Sequence, residues 1–469
     1  MNFKLYSTLA RSKQDFTPLT PGEIRMYVCG MTVYDYCHIG HGRAFVAFDL
    51  IVRFLRFMGW KVTYVRNITD VDDKIIQRAK ENGESCEELS GRFIAAMQED
   101  FGALGILPPD HEPKATDHID QIVAMTEKLM ELGYAYKASN GDVYYRVAKF
   151  AEYGKLSGRN PEELLAGARI EVGDQKEDPR DFVLWKSADE NEGEVGWSST
   201  LGYGRPGWHI ECSAMCKHSL GDSFDIHGGG EDLQFPHHEN EIAQSEAANG
   251  VGFANYWVHA GPLRIDGEKM SKSLNNFFTI RDVLDRYPTE VVRFFLISSH
   301  YRSPISYSED NLIEAQNGLQ RFYQAMRHVP DSGDASNLSE SLAYEAFVAA
   351  MSDDFNSREA IASLYALVDQ INATKSAEEL DLAVKLVGEL RGFGKILGIL
   401  QQDAESFFQA GSTANISAED IEQLISERQQ AKLDKDYARA DQIRQDLAEQ
   451  GVQLDDSREG TSWRRTNQS

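Results

Sequence analysis

Residues 26–45 read MYVCGMTVYDYCHIGHGRAF. The β-branched and aromatic run at 24–28 predicts a strand, and Gly30 is expected to break it. An apolar-periodic run predicts a helix over 42–58. His38, Ile39, Gly40 and His41 therefore stand at a helix N-terminus, where free N–H groups and a partial positive charge suit phosphate. Gly40 lacks a Cβ, so an adenine or ribose can lie against the backbone. His38 and His41 can donate to phosphate oxygens as charge builds. Two histidines capping a surface helix would look the same, so the tetrapeptide alone decides little.

A second strand is expected at 61–65, which makes the first unit a βαβ and the start of a doubly wound, Rossmann-type parallel sheet. Asp70, Asp72 and Asp73 follow it, and helix capping explains them better than a metal. Far downstream comes Asp266-Gly267-Glu268-Lys269-Met270-Ser271-Lys272-Ser273. Its two lysines are flexible point charges that can swing onto a pyrophosphate. Between these elements, residues 224–232 read FDIHGGGED. Glycines after a short strand, Gly229 among them, allow close approach to a ligand.

His237 and Glu241 are four apart, so a helix would turn both to one side. Cys29 and Cys212 complete a donor set suited to zinc. Spacing leaves rivals open: Cys216 is four from Cys212, His238 and Glu239 adjoin His237, and His209 precedes Cys212. Cys216, Cys37 and Cys86 read as structural, and Trp185 as core.

HIGH at 38–41 and KMSKS at 269–273, in this order, resemble the signature motifs of class I aminoacyl-tRNA synthetases. With Cys29, GWHIECSAM at 207–215 and FPHHENE at 235–241, the chain resembles the cysteinyl-tRNA synthetase family over nearly its whole length. The resemblance implies ATP-dependent activation of L-cysteine and its transfer to tRNA(Cys). It implies His38, His41, Lys269 and Lys272 as catalytic, Lys272 mattering more than Lys269. It assigns Gly40, Gly229, Asp232 and Lys272 to ATP, and Thr69, Trp208 and His227 to the amino-acid pocket. It selects Cys29, Cys212, His237 and Glu241 for one Zn²⁺, with Mg²⁺ accompanying ATP. A cysteine-activating ligase with an amino-sugar acceptor would share the motifs but would not need residues 309–469, and a non-catalytic tRNA-binding paralogue would have no reason to keep both histidines and both lysines.

The totals are those of a globular protein: 469 residues, 42% hydrophobic and 26% charged. No apolar run is long enough for a membrane span, and 1–16 lacks the core of a secretory signal. Five cysteines at irregular spacing argue for a reducing cytoplasm. A formal charge of −26 runs against nucleic-acid binding unless basic groups are concentrated locally.

The expected organisation is a catalytic domain at 1–110 and 201–265, split by an insertion at 111–200. The lysine loop and stem-contact region follow at 266–308, with a helix predicted over 281–299. A helical bundle at 309–400 is taken as anticodon-binding; a linker at 401–416 and a small tRNA-binding module at 417–469 complete the chain. Arg464 and Arg465 beside Trp463 suggest stacking on unpaired bases, with Asp441 and Asp456 as further candidate contacts. The family resemblance implies a monomer.

Overall fold

The computed structural model describes residues 3–158, 175–265, 268–269, 277–330, 333, 337–409, 416–456 and 460–465. They fall into two compact units.

The first unit is built on strand β1 (Glu23–Thr32), helix α1 (Ile39–Phe57) and strand β2 (Lys61–Thr69). Helix α2 (Trp208–Leu220), strand β3 (Phe224–Gly230), helix α3 (Glu239–Asn249) and strand β4 (Ala254–Ala260) complete its core. The sheet order is β4-β3-β1-β2, and every neighbouring pair is parallel. From β1 the chain winds one way to β2 and later the other way to β3. The crevice between the carboxyl ends of β1 and β3 is thus a topological switch point, where ligands bind in such sheets.

Two local expectations are corrected. Gly30 does not end β1, which continues to Thr32 through a register shift between Val28 and Met31. Its N–H donates to Asn67 Oδ1 at 2.8 Å, and a Cβ there would collide with the Asn67 carbonyl. Glycine is the residue that lets β2 come this close, as at other strand irregularities. Helix α1 begins at Ile39, ahead of the expected 42, because His38 is its N-cap. Histidine lies outside the usual capping residues, so composition concealed the start. The helix buries Phe45, Phe48, Leu50, Ile51, Phe54 and Leu55, at roughly 1.5–3 kcal/mol each. Asp72 caps the helix Asp73–Asn82 by accepting from Lys74 N at 2.8 Å, as the capping reading anticipated.

Between β2 and β3 a four-stranded antiparallel sheet is inserted: Ala135–Lys137, Val143–Tyr145, Phe182–Ser187 and Gly204–Pro206. Helix Ile119–Glu131 packs on it, and Trp185 lies fully buried in the shared core. A three-stranded sheet follows β4, with Leu263–Ile265 between Glu268–Lys269 and Ile305–Tyr307.

The second unit is helical. The single helix expected over 281–299 is two, Ile280–Leu284 and Thr289–Ile297. Pro288 has no N–H and disfavours helical geometry at Tyr287. Glu290 is buried and accepts from Tyr323 Oη at 2.6 Å and from Leu400 N at 3.0 Å. The terminal module packs helices Ala418–Leu433 and Tyr437–Glu449 on the hairpin Val452–Asp456/Thr461–Arg465.

Trp463 overturns the stacking expectation. It is 1% exposed, packed among Ile421, Ile425, Ile443, Leu447, Val452 and Leu454. Its indole N–H donates to Glu422 Oε1 at 2.6 Å. A position near the chain end suggested exposure, but the tryptophan is the core of a module too small to have another. Arg465 is likewise engaged, donating to the carbonyls of Gln409 and Ile416.

Candidate active site and metal centre

His38 and His41 interlock at the start of α1. His38 Nδ1 accepts from the His41 backbone N–H, and His41 Nδ1 accepts from that of His38, both at 3.2 Å. Their rings stack with centroids 3.4 Å apart and planes 16° from parallel. A neutral imidazole whose Nδ1 accepts carries its proton on Nε2. Burial, and then the neighbouring His38, push His41 well below the usual imidazole value, so it stays neutral. The pair is a capping box that presents two parallel Nε2–H donors.

At the carboxyl end of β1, beside that helix start, four buried donors from four elements converge. Cys29 comes from β1, Cys212 from α2 and Glu241 from α3. His237 stands in the turn Gln234–His238 that leads into α3, not in the helix itself. This turn contains the cis bond Phe235–Pro236. Cys29 Sγ lies 3.8 Å from Cys212 Sγ and 3.3 Å from Glu241 Oε1, and His237 Nε2 lies 3.1 Å from the same oxygen. All four residues are at most 4% exposed.

A tetrahedral ion about 2.3 Å from each of two sulfurs sets them about 3.8 Å apart, the separation observed. The charges agree. A hydrogen bond from Cys29 holds the Cys212 thiol down to about 6 against burial. Burial pushes Cys29 up. Burial also opposes ionisation of Glu241, but His227 and His237 overcome it and hold its carboxyl well below the usual range. Burial pulls His237 down, yet Cys212 and Glu241 lift it to about 10. Without a metal the protonated His237 offsets part of the charge of the two anionic groups, and a divalent cation would take over that role as the imidazole loses its proton to ligate. The residues fit a metal ion.

A second donor set, Cys29, His227, His238 and Glu241, shares two members with the first. His227 Nε2 sits 2.9 Å from Glu241 Oε2, and its ring stacks on Trp257 at 4.4 Å. Such a contact orients a ligating carboxylate. His209 Nδ1 lies 3.0 Å from His237 Nδ1 and fixes that ring in the same manner. The other rivals fall away: Cys216 belongs to neither set, and Glu239 accepts from the backbone of Gly154 and Ser157.

The remaining expected residues lie as follows. Trp208 is 38% exposed, with its ring 4.3 Å from that of His237, so it walls the open side of the cluster. Thr69 is buried and donates to Glu211 Oε2 at 3.1 Å. Gly40 lies in the first turn of α1. The space a side chain would need at Gly229 is taken by His238 and Leu233. Asp232 is exposed in the turn that follows β3. Lys269 pairs with Arg264 across a two-residue strand, and Lys272 lies outside the described residues. The network of His209, His227, His238, Trp257 and His259 around the cluster was not anticipated beyond its individual histidines. Period and spacing carry no signal for contacts between separate elements.

Residues 15–317 match a family profile described as tRNA synthetases class I (C) catalytic domain, and 346–401 match a DALR domain. The cysteine–tRNA ligase of Halorhodospira halophila (strain DSM 244 / SL1) is 56% identical over 463 residues, 99% of each chain. That of Pseudomonas entomophila (strain L48) is 57% identical over 460 residues, 98% of this chain and 99% of its own. The chain belongs to the cysteine–tRNA ligase family.

Solved class I synthetases share the fold of this family member. Mycobacterium tuberculosis methionyl-tRNA synthetase in complex with methionyl-adenylate superposes with a TM-score of 0.59 at 16% identity, covering 82% of this chain and 93% of its own. A leucyl-tRNA synthetase ternary complex from Agrobacterium radiobacter K84 gives 0.56 at 12% identity, covering 84% and 86%. Among the described residues no helix is long and apolar enough to cross a membrane.

Proposed function

We infer that this cysteine–tRNA ligase activates L-cysteine with ATP, forming cysteinyl-adenylate and pyrophosphate, and then esterifies the terminal adenosine of tRNA(Cys). The observation that carries the reading is the buried Cys29–Cys212–His237–Glu241 cluster beside the His38–His41 helix start. It joins a sulfur-selective site to a phosphate site at one switch point.

Cys29, Cys212, His237 and Glu241 would hold zinc, which supplies affinity for a soft sulfur over a hydroxyl oxygen. A pocket that relied on shape would separate such isosteres by only about 10²-fold. His227 holds the far oxygen of Glu241, His209 holds His237, and Trp208 walls the open side.

In the first step the cysteine carboxylate attacks the α-phosphorus of ATP and the bond to pyrophosphate breaks. No side chain is a nucleophile, so catalysis consists of positioning and charge stabilisation. The Nε2–H groups of His38 and His41 donate to the phosphate oxygens as charge accumulates. Lys269 and Lys272 neutralise the departing pyrophosphate, with Mg²⁺ on the ATP. Asp232 accepts from ribose hydroxyls, and the adenosine lies along Gly40, whereas the room freed at Gly229 is taken by His238 and Leu233. Thr69, through its hydroxyl, belongs to the wall of the amino-acid pocket. In the second step a ribose hydroxyl of the tRNA attacks the activated carbonyl, and AMP leaves. The reading goes with a reducing cytoplasm, because both donor cysteines must remain thiols.

Cysteine-dependent exchange of labelled pyrophosphate into ATP tests it, with serine in parallel and a chelator control. Exchange with cysteine alone, lost on metal removal, is expected. Exchange with serine at a similar rate would remove the sulfur-selective account, and no exchange from folded, metal-loaded protein would remove the activity.

A further inference from the structure

Arg43 lies on α1, shortly after the His38 cap, and is 2% exposed. Its Nη2 donates to three backbone carbonyls, those of His300 at 2.7 Å, Tyr301 at 3.0 Å and Ser303 at 3.2 Å. Burial lowers its pKa to about 10, so the guanidinium keeps its charge near neutral pH. Taking a cation out of water is costly, and an apolar side chain of like volume often serves stability as well. What a guanidinium adds is direction, since its donors lie in one fixed plane. The mechanism above gives Arg43 no part.

The segment that Arg43 grips is fixed on its other sides. Asp354 is fully buried and accepts from Tyr301 Oη at 2.8 Å and from Arg302 Nε at 2.7 Å. The Tyr301 carbonyl also accepts from Gly261 N at 2.8 Å, just past the end of β4. A Cβ at Gly261 would collide with the backbone of Arg302 and Ser303. The segment then runs into strand Ile305–Tyr307, which pairs in parallel with Leu263–Ile265. Arg264 of that strand pairs with Lys269. Contacts within the first unit thus join the helix that carries His38 and His41 to the strand that carries Lys269. A second link, from Ile39 N to the Phe278 carbonyl at 3.0 Å, ties the first turn of α1 to the chain beyond the lysine motif.

The histidines and the lysine come from separate elements, yet adenylate formation needs them on one phosphate chain. A misplacement of about 1 Å can cost about 10²-fold in rate. We propose that Arg43 is a positioning residue for adenylate formation, setting where the His38–His41 donors stand relative to the strand of Lys269. The proposal rests on the cysteine-activating reading above.

The test compares wild type, Arg43→Met, Arg43→Lys and Gly261→Ala as full, metal-loaded chains. Two rates are measured: pyrophosphate exchange, and single-turnover transfer from enzyme-bound cysteinyl-adenylate to tRNA(Cys), a step that involves no pyrophosphate. Arg43→Met should lower kcat for exchange by about 10²-fold. Arg43→Lys keeps the charge but not the planar fork and should lower it by about tenfold. Transfer, metal content and the KM for cysteine should stay within about twofold of wild type. Gly261→Ala shifts the same segment with the guanidinium intact and should give the same split. Equal loss in exchange and transfer would mean general support of the unit and overturns the proposal. Wild-type exchange in Gly261→Ala would make the role one of charge and overturns it too. If Arg43→Met does not fold, Arg43→Lys decides, and wild-type exchange in that variant overturns the proposal. Absence of exchange in the wild type would instead count against the underlying reading.

Discussion

Cys29 Sγ and Cys212 Sγ stand 3.8 Å apart, although one is on a central strand and the other on a helix that returns only after the inserted antiparallel sheet. With Glu241 and His237 they form a buried donor set whose sulfur spacing is that of one tetrahedral ion. Metal retention should depend on each donor and on the groups that orient them. Cys212→Ser should lower metal affinity by more than about 100-fold, and His227→Asn by about 10–100-fold, since His227 acts through Glu241. Metal content by mass spectrometry after dialysis against graded chelator checks both.

The reciprocal contacts of His38 and His41 make separable predictions. His38→Asn keeps a side chain that caps well and should leave the melting midpoint nearly unchanged. His38→Ala loses the cap, at about 1 kcal/mol. Both variants lose an Nε2–H donor and should slow pyrophosphate exchange by about 10²-fold. Thermal melting and exchange on the same preparations separate capping from catalysis.

Trp463 holds the terminal module together. Trp463→Ala should destabilise that module by about 3–5 kcal/mol. Trp463→Phe retains much of the packing and loses the bond to Glu422, at about 1–3 kcal/mol. Limited proteolysis of the full chain should release residues after 416 first in the alanine variant. A Trp463→Ala chain as resistant as wild type, yet weak in tRNA binding, would restore the base-stacking role.

Asp456 sets an acid limit for the same module. Arg428 donates to both of its oxygens at 2.8 Å. This pairing with Arg428 holds the carboxyl well below the usual range, against partial burial. A depressed folded pKa stabilises above the unfolded value near 4, and the contribution is lost as pH falls through the folded pKa. Near-ultraviolet circular dichroism of Trp463 should therefore melt at a constant midpoint from pH 5 to 8 and earlier below pH 4. Asp456→Asn should lower the plateau and flatten the acid limb.

The sequence by itself determined the βαβ start and the parallel-sheet class, because periodicity and glycine placement act over neighbouring residues. It also supplied four candidate metal donors, but only in company with rivals. The tertiary structure leaves Cys216 and Glu239 outside both donor sets, while His238 remains in one set and Cys212 in the other. Donor sets are settled by which atoms meet across β1, α2 and α3, and spacing along one element does not encode that. The start of α1 and the passage of β1 through Gly30 were hidden because an unusual cap and a close strand approach are visible only with their partners in place. Trp463 went from exposed to buried for the same reason: its burial depends on Ile421, Ile443 and Leu454, which only the folded module brings to it.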